Sequence, residues 1–523
     1  MKRASGPCPQ RLPFAGEAPG PAVLRHGISW LYGVFMAVTL AICLWFPGRI
    51  EYLRAAFSRV FLPAGLLLLM GLAVCALLFI LSERLGRLIR HRRAALLCAS
   101  LLLLAVQVLA VWQYYFFTDW DVQGLLDLSY LVSRGYDTSE YAAYFSRYPN
   151  NLLLGWLFSV VRSAALKAGL ARFEYGILLL IQCLLNTATG ALLALLLHEL
   201  RRDPTLTIFG YALYVLLVGL SPWVSIPYSD SMALLFPCLI AWLAFRRIRE
   251  GSGRAALRWG LIGVCACIGY HIKPQVLILL MAILIVGLLR QRRRTLRLGL
   301  SSLGGLAAGF LCASLLCGVL VNSLPLERDA DAEFGPAHFL MMGLNTETMG
   351  VYLKEDVEYS ASFPNREQRD RADLERAMER LRDMGGAGFL RLMVQKTLTN
   401  YADGTFCWDG EGEFYVSRIE REPTPLGDFL RELYDSGDWG GRYFPVWANA
   451  AHMLWLAVLL LSCFSGLAGQ DARRDCLMLG ILGLSLFELL FEARARYLYT
   501  YVPLYITLAA YGADALRRKL RRA

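Results

Sequence analysis

Charge is what this 523-residue sequence has least of. Asp, Glu, Lys and Arg together make up 18% of it, against 56% hydrophobic residues and a mean hydropathy of +0.45. A soluble chain of this length needs far more polar surface to cover its core, which excludes an ordinary soluble globular protein. Motifs are scarce as well. No Walker loop, Gly-x-Gly-x-x-Gly turn, His-Glu-x-x-His or Gly-x-Ser-x-Gly element stands where it would support the chemistry of that motif. Residues 1–26, MKRASGPCPQRLPF and onward, lack the apolar core of a cleavable signal and read as a short cytoplasmic tail. The 13 cysteines show no metal-ligand spacing, and they staple no loop, since Cys407 alone falls in the longest polar segment. Most of the others lie in apolar runs, where a thiol behaves as a small hydrophobe.

What the sequence has is long apolar runs. Leu101–Trp112, Tyr175–Leu197 and Leu300–Val321 are apolar on nearly every helical face. The two longer ones reach the roughly 20 residues that span a bilayer, and irregular backbone cannot face lipid, so they must be helices. Spans are expected at 27–46, 60–82, 94–116, 175–197, 206–224, 228–246, 257–272, 275–290, 299–321, 447–466, 475–492 and 497–515. The fold class is therefore an all-α polytopic membrane protein of about 12 transmembrane helices. Its parts are the tail 1–26, a first transmembrane region 27–321, a large loop domain 322–446, a second transmembrane region 447–515 and a tail 516–523.

The net charge of +11 raises the question of nucleic acid, and the placement of the charges answers it. Arg84/Arg87/Arg90/Arg92/Arg93, Arg201/Arg202, Arg246/Arg247/Arg249/Arg254/Arg258, Arg290/Arg292/Arg293/Arg294/Arg297, Arg473/Arg474 and Arg517/Arg518/Lys519/Arg521/Arg522 all fall in, or at the edge of, connections on one side. Positive residues mark the cytoplasmic side, so both termini are expected inside, with the basic surplus facing anionic lipid. A nucleic-acid partner would need one contiguous basic face instead.

That topology sends the stretch 117–174, the turns around Ser221–Asp230 and His271–Gln275, and the long loop to the extracytoplasmic side. In YYFFTDWDVQ, Asp119 and Asp121 lie just beyond an aromatic belt, either as solvated loop acids or as a general acid or base. In YFSRYPNN, Tyr148 precedes a Pro turn, and Asn150 and Asn151 are placed to cap a short apolar helix over about 150–166. Counting that helix as a span would invert every later loop, so it is read as amphipathic or re-entrant. SPWVSIPYSDS presents Tyr228 and Asp230, and YHIKPQ places Lys273 beside a helix-breaking Pro, where a cation either snorkels or binds phosphate. FELLFEARARYLYTYVP concentrates Glu488, Glu492, Arg494, Arg496 and Tyr497, either as an internal ion pair or as a fork for phosphate or carboxylate. In the long loop, 365–384 reads as a charged, solvated helix. The stretch after it sets Asn400, Asp403, Trp408 and Asp409 among aromatics, as a sugar-binding surface or as a lid packed on the membrane domain. Asp119, Asp121 and Asp230 offer oxygens to a divalent metal but complete no ligand set.

WDVQ, YFSRYPNN, HFLMMGLN, DGTFCWDGEGEFY and EARARYLYTYVP, in order over residues 94–515, resemble a bacterial integral-membrane subgroup of the GT-C glycosyltransferases. That superfamily includes the protein O-mannosyltransferases and the aminoarabinose transferases. The resemblance implies a GT-C-like bundle that moves a sugar from a polyprenyl-phosphate donor to a glycan, lipid or protein acceptor outside a bacterial plasma membrane. By the same resemblance Asp121, with Asp119 second, is the catalytic acid or base. Lys273, Arg494 and Arg496 would hold the donor phosphate. Tyr148, Asn150, Asn151, Tyr228, Asp230, Glu492 and Tyr497 would shape the substrate groove. Two spans precede the usual first one, and the acids are spaced Asp-Trp-Asp rather than adjacent. A transporter or lipid flippase is the alternative from another class, although such proteins place ionisable groups near the midplane. An envelope polymer ligase or polymerase is the other.

Overall fold

A computed structural model describes residues 22–46, 61–114, 116–246, 252–289, 296–412, 415–418, 424–435 and 441–521. Most of the expected N-terminal tail and the arginines within 247–251 and 290–295 lie outside the described residues. The chain is an all-α membrane protein. Its first helices are α1 (Ala22–Trp45), α2 (Ala64–Leu88) and α3 (Arg92–Tyr114), followed by strand β1 (Phe116–Thr118). Next come α4 (Trp120–Arg134), α5 (Ala142–Arg147), α6 (Leu152–Lys167), α7 (Glu174–Arg201), α8 (Pro204–Tyr214) and α9 (Leu235–Phe245). Then follow α10 (Ser252–Ile272), α11 (Val276–Leu289) and α12 (Leu296–Asn322). The long connection holds α13 (Pro336–Gly343), α14 (Lys354–Ala361), α15 (Arg366–Tyr401), strand β2 (Tyr415–Arg418) and α16 (Pro425–Tyr434). The chain closes with α17 (Phe444–Cys463), α18 (Ala472–Leu490) and α19 (Val502–Leu520).

Each expected span contains a helix, yet the helices are not equivalent. Among the described residues seven are long and apolar enough to cross a membrane, and three more apolar helices, Pro204–Gly219, Ser229–Phe245 and Val276–Leu289, are shorter. Helices α18 and α19 carry buried charge: Arg474 with Asp475 at 2.9 Å, and Asp514 with Arg517 at 2.7 Å. Protein surrounds α19 along most of its length, so its carboxylate can be paired where lipid would not permit it.

The ends of the helices follow from local chemistry. Asp203, with Pro204 after it, caps α8; Thr424 and Pro425 do the same for α16, and Asp471 caps α18. Gly135, at φ +68°, ends α4 in the left-handed conformation that glycine adopts without strain. The closest helix pair is α10 with α12, which run parallel. A Cβ on Gly309 would lie 2.1 Å from the Gly260 carbonyl oxygen, and one on Gly305 equally close to that of Ala256, so only glycine fits there. Elsewhere α17 packs between α2 and α19, α11 on α18, and α7 on α3, α8 and α9.

The 323–443 connection folds onto one end of this bundle, termed the loop end below. Its small core is Met341, Leu344, Ala377 and Leu392. The expected charged helix is there, as α15, capped by Asn365 and kinked at Gly385. Strand β2 pairs antiparallel with β1, Phe116 opposite Arg418, and so ties this connection to the segment that leads into α4.

Candidate active site

The loop end gathers side chains from five separate stretches of sequence, and the centre of the gathering is the start of α4. Asp119 is exposed and caps that helix, accepting from the Trp120 amide at 2.8 Å. Trp120 then takes φ +60°, a conformation in which a bulky side chain is a genuine outlier. Such strain persists only where surrounding contacts over-determine it, and sites of function are where it collects. The Trp120 ring is held by its indole N–H, which donates to Thr118 Oγ1 at 3.0 Å, and by Tyr228, ring to ring at 4.9 Å. The consequence is that Asp121, one residue on, points inward in the first helical turn, where a helix N-terminus favours negative charge.

Two phenols hold Asp121. Tyr144 on α5 donates to Oδ1 at 2.6 Å, and Tyr228 donates to Oδ2 at 3.2 Å. Burial, and then the negative Asp121, hold both tyrosines well above the usual phenol range, so each remains a donor. Asn151 is buried at the start of α6 and donates to Tyr228 Oη at 3.0 Å. Tyr148 sits at the edge of this group, 5.2 Å from the Tyr144 ring, while Asn150 is exposed.

Tyr228 also faces a second group. The Arg496 guanidinium lies 5.6 Å from its ring centre and 4.6 Å from that of Trp120. Arg496 donates from Nη1 to Asp230 Oδ2 at 2.7 Å, and Lys273 donates from Nζ to Asp230 Oδ1. The Asp230 side chain is 2% exposed, that of Lys273 6% and that of Arg496 8%, so one buried carboxylate serves two buried cations. Burial lowers the Lys273 pKa, Asp230 opposes the shift and Arg496 adds to it. The Lys273 ammonium lies 4.1 Å from the Tyr497 ring centre. Tyr497 in turn donates to Glu492 Oε2 at 3.1 Å, and Glu492 pairs with the half-buried Arg494 at 3.4 Å. The 3-10 turn Ala495–Tyr501 brings Arg496 and Tyr497 to this point, and Pro274 interrupts the chain between α10 and α11 so that Lys273 can reach it.

Of the residues singled out in the sequence, Asp121, Asn151, Tyr228, Asp230, Lys273, Arg496 and Tyr497 thus form one continuous group. Glu492 and Arg494 adjoin it. Asp119 serves as a helix cap, Asp121 is taken up by phenols and Asp230 by cations, so these three carboxylates have separate jobs. Tyr144 and Trp120 belong to the site although only their neighbours were singled out. Their signal lay in the YFSRYPNN and WDVQ motifs themselves, and a positive φ leaves no trace in a sequence. Lys396 was missed as well: it is fully buried in α15, where it donates to the Gly343 carbonyl at 2.8 Å and to that of Phe491, and burial lowers its pKa to about 7. Glu488, one turn before Glu492, is fully buried with neither carboxylate oxygen hydrogen-bonded.

The aromatic stretch after α15 turns inward rather than outward. Trp408 is fully buried against Trp223, ring centres 5.4 Å apart, and donates to the Tyr434 carbonyl. Asp403 accepts from the amides of Thr405 and Cys407 and holds Phe406 and Cys407 at positive φ. This segment is a lid packed on the membrane domain, and Trp408 is not the stacking surface for sugar that its composition allowed. A separate cavity of about 540 Å³ opens on another face of α4, lined by Trp112, Gln123, Asp127, Tyr130, Arg162 and Glu174 among others. There Glu174 pairs with the buried Arg162 at 2.6 Å and with Arg134 at 3.1 Å.

Residues 22–516 match the family model described as "Conserved hypothetical integral membrane protein". The chain belongs to that family. No curated protein and no solved structure matches it.

Proposed function

We propose that this member of the family is a GT-C-type glycosyltransferase, moving a sugar from a polyprenyl-phosphate donor to a glycan, lipid or protein acceptor. The observation that carries the reading is Tyr228. Its hydroxyl donates to Asp121 while its ring faces Arg496, so a carboxylate and a centre with two cations and one anion stand on either side of a single residue. Transfer from a sugar phosphate needs that pairing. The acceptor oxygen forms a bond to the anomeric carbon as the bond from that carbon to the phosphate oxygen breaks. Asp121 takes the acceptor proton, and the phosphate leaves with the bonding electrons. The surplus positive charge of Lys273 and Arg496 stabilises the charge that develops on the departing phosphate. Arg494, half-buried beside Glu492, adds a third cation at the rim.

The arginine placement supports a site on the outer face of a bacterial plasma membrane, where polyprenyl-linked donors would be presented. Purified protein given labelled polyprenyl-phosphate sugar and a mixed acceptor pool is expected to transfer the label. Asp121→Asn is expected to abolish transfer while eluting as a folded monodisperse species in detergent. Undiminished turnover in that variant would sink the assignment of Asp121. Translocation of the lipid without transfer would indicate a flippase, and a requirement for a polymeric donor would indicate a ligase or polymerase.

A further inference from the structure

Helices α10 and α12 bring together three soft donors that stand far apart in the sequence. Cys267 and His271 are one turn apart on α10, at i and i+4, and so share a face. Cys317 projects from α12. The two thiol sulfurs and a ring nitrogen of His271 all lie within 4.8 Å of one another. Ligand atoms bound to one zinc ion, at about 2.3 Å for sulfur and about 2.0 Å for nitrogen, stand about 3.5–3.8 Å apart. Closing the difference takes small rotations of side chains, because the backbones are already fixed by the glycine contacts at Gly305 and Gly309.

We propose that Cys267, His271 and Cys317 form a binding site for one thiophilic d10 cation, Zn²⁺. The charges favour zinc over a monovalent ion. Two thiolates, a neutral imidazole and Zn²⁺ sum to zero, which is what a low-dielectric setting demands of a buried ion. Cys267 is fully buried and Cys317 nearly so, and His271 is half-buried at the loop end, where a water can complete four-coordination. Binding releases two thiol protons to solvent. A small-hydrophobe role accounts for a single buried cysteine, but not for two cysteines and a histidine converging from two helices. The site also clamps the outer ends of α10 and α12 one turn from Lys273, so its occupancy would steady the turn that carries Lys273 to Asp230. None of this depends on the transferase reading.

The test uses the full-length chain, purified reduced in detergent, stripped of metal and titrated with Zn²⁺ against a chromophoric chelator. Wild type is expected to take up one competing equivalent, and Cys312→Ser, an exposed cysteine on the same helix, is expected to match it. Cys267→Ser, Cys317→Ser and His271→Ala should each weaken binding by about tenfold or more. Co²⁺ gives a readout that needs no variant, since two thiolate ligands produce a charge-transfer band in the near ultraviolet. Equal zinc uptake by all five proteins, or no such band in wild type, would overturn the proposal. So would recovery of a Cys267–Cys317 disulfide from unreduced protein, or capture of Cu(I) with no zinc binding.

Discussion

Replacing Asp230 by Asn removes the anion that Lys273 and Arg496 share among the described residues and leaves two adjacent cations buried. Breaking a buried ion pair in this way costs about 3–5 kcal/mol, because the surviving charge keeps its desolvation penalty. The protein has one escape, which is to deprotonate Lys273. From its ordinary 10.5, discharging that lysine at pH 7.5 costs about 4 kcal/mol, at about 1.4 kcal/mol per pH unit. The two routes agree, so Asp230→Asn is expected to destabilise by about 4 kcal/mol at pH 7.5. The discharged route also fixes a pH dependence. The unfolded chain keeps its lysine charged while the folded variant does not, so stability of the variant rises with pH up to 10.5. Its deficit against wild type should therefore shrink by about 1.4 kcal/mol per unit, or about 2 kcal/mol in all, between pH 7.5 and 9. Adding Lys273→Met should recover most of the deficit at pH 7.5 and flatten that slope. Unfolding in detergent, followed by tryptophan fluorescence, measures all three proteins. An Asp230→Asn variant within about 1 kcal/mol of wild type would refute the shared-anion reasoning, and so would a deficit that neither pH nor Lys273→Met relieves.

Three further outcomes are expected. Tyr144→Phe removes the 2.6 Å donor to Asp121, a hydrogen bond to a charged group, and should lower the turnover number about 10- to 100-fold with little change in acceptor KM. His338, fully buried on α13 with Nδ1 bonded to Ser360 Oγ, has its pKa lowered from 6.5 to about 4 by burial. Its depressed value means that stability is fully present above pH 6.5 and is lost as pH falls towards 4. The advantage of wild type over His338→Gln, followed by thermal unfolding, should thus shrink by about 3 kcal/mol across that window. Asp373, pushed up to about 6 by burial, responds in the opposite sense in both proteins. Finally, Gly309→Val places a branched side chain where even a Cβ would meet the Gly260 carbonyl at 2.1 Å, so α10 and α12 must separate. Cross-linking between cysteines introduced at the facing ends of the two helices should be lost in that variant and retained in Gly304→Val, whose Cβ would meet nothing within 4 Å.

Much of the framework was legible from residues alone. Apolar run length is a local property, and a bilayer demands helix from any run that crosses it, so Tyr175–Leu197 and Leu300–Val321 declared themselves without any tertiary information. The charged helix expected over 365–384 was equally local, although it runs on past the kink at Gly385 to Tyr401. Motif order brought Asp121, Asn151, Tyr228, Lys273 and Arg496 into consideration, since each sits at the end of an apolar run where polar side chains must leave the bilayer. What these residues do to one another was not in the sequence. Nothing in SPWVSIPYSDS says that Asp230 will neutralise Lys273 and Arg496 together, because that depends on three connections meeting at one point. Nor does DGTFCW say whether Trp408 faces sugar or Trp223; burial decided it. The positive φ of Trp120 and the approach of Cys317 to Cys267 and His271 are likewise products of packing. Sequence determined which segments are apolar enough to lie in a membrane and where the polar residues collect, through the cost of placing backbone and charge in lipid. Only the tertiary structure decided which charges share a partner, because that is set by distances between segments tens to hundreds of residues apart.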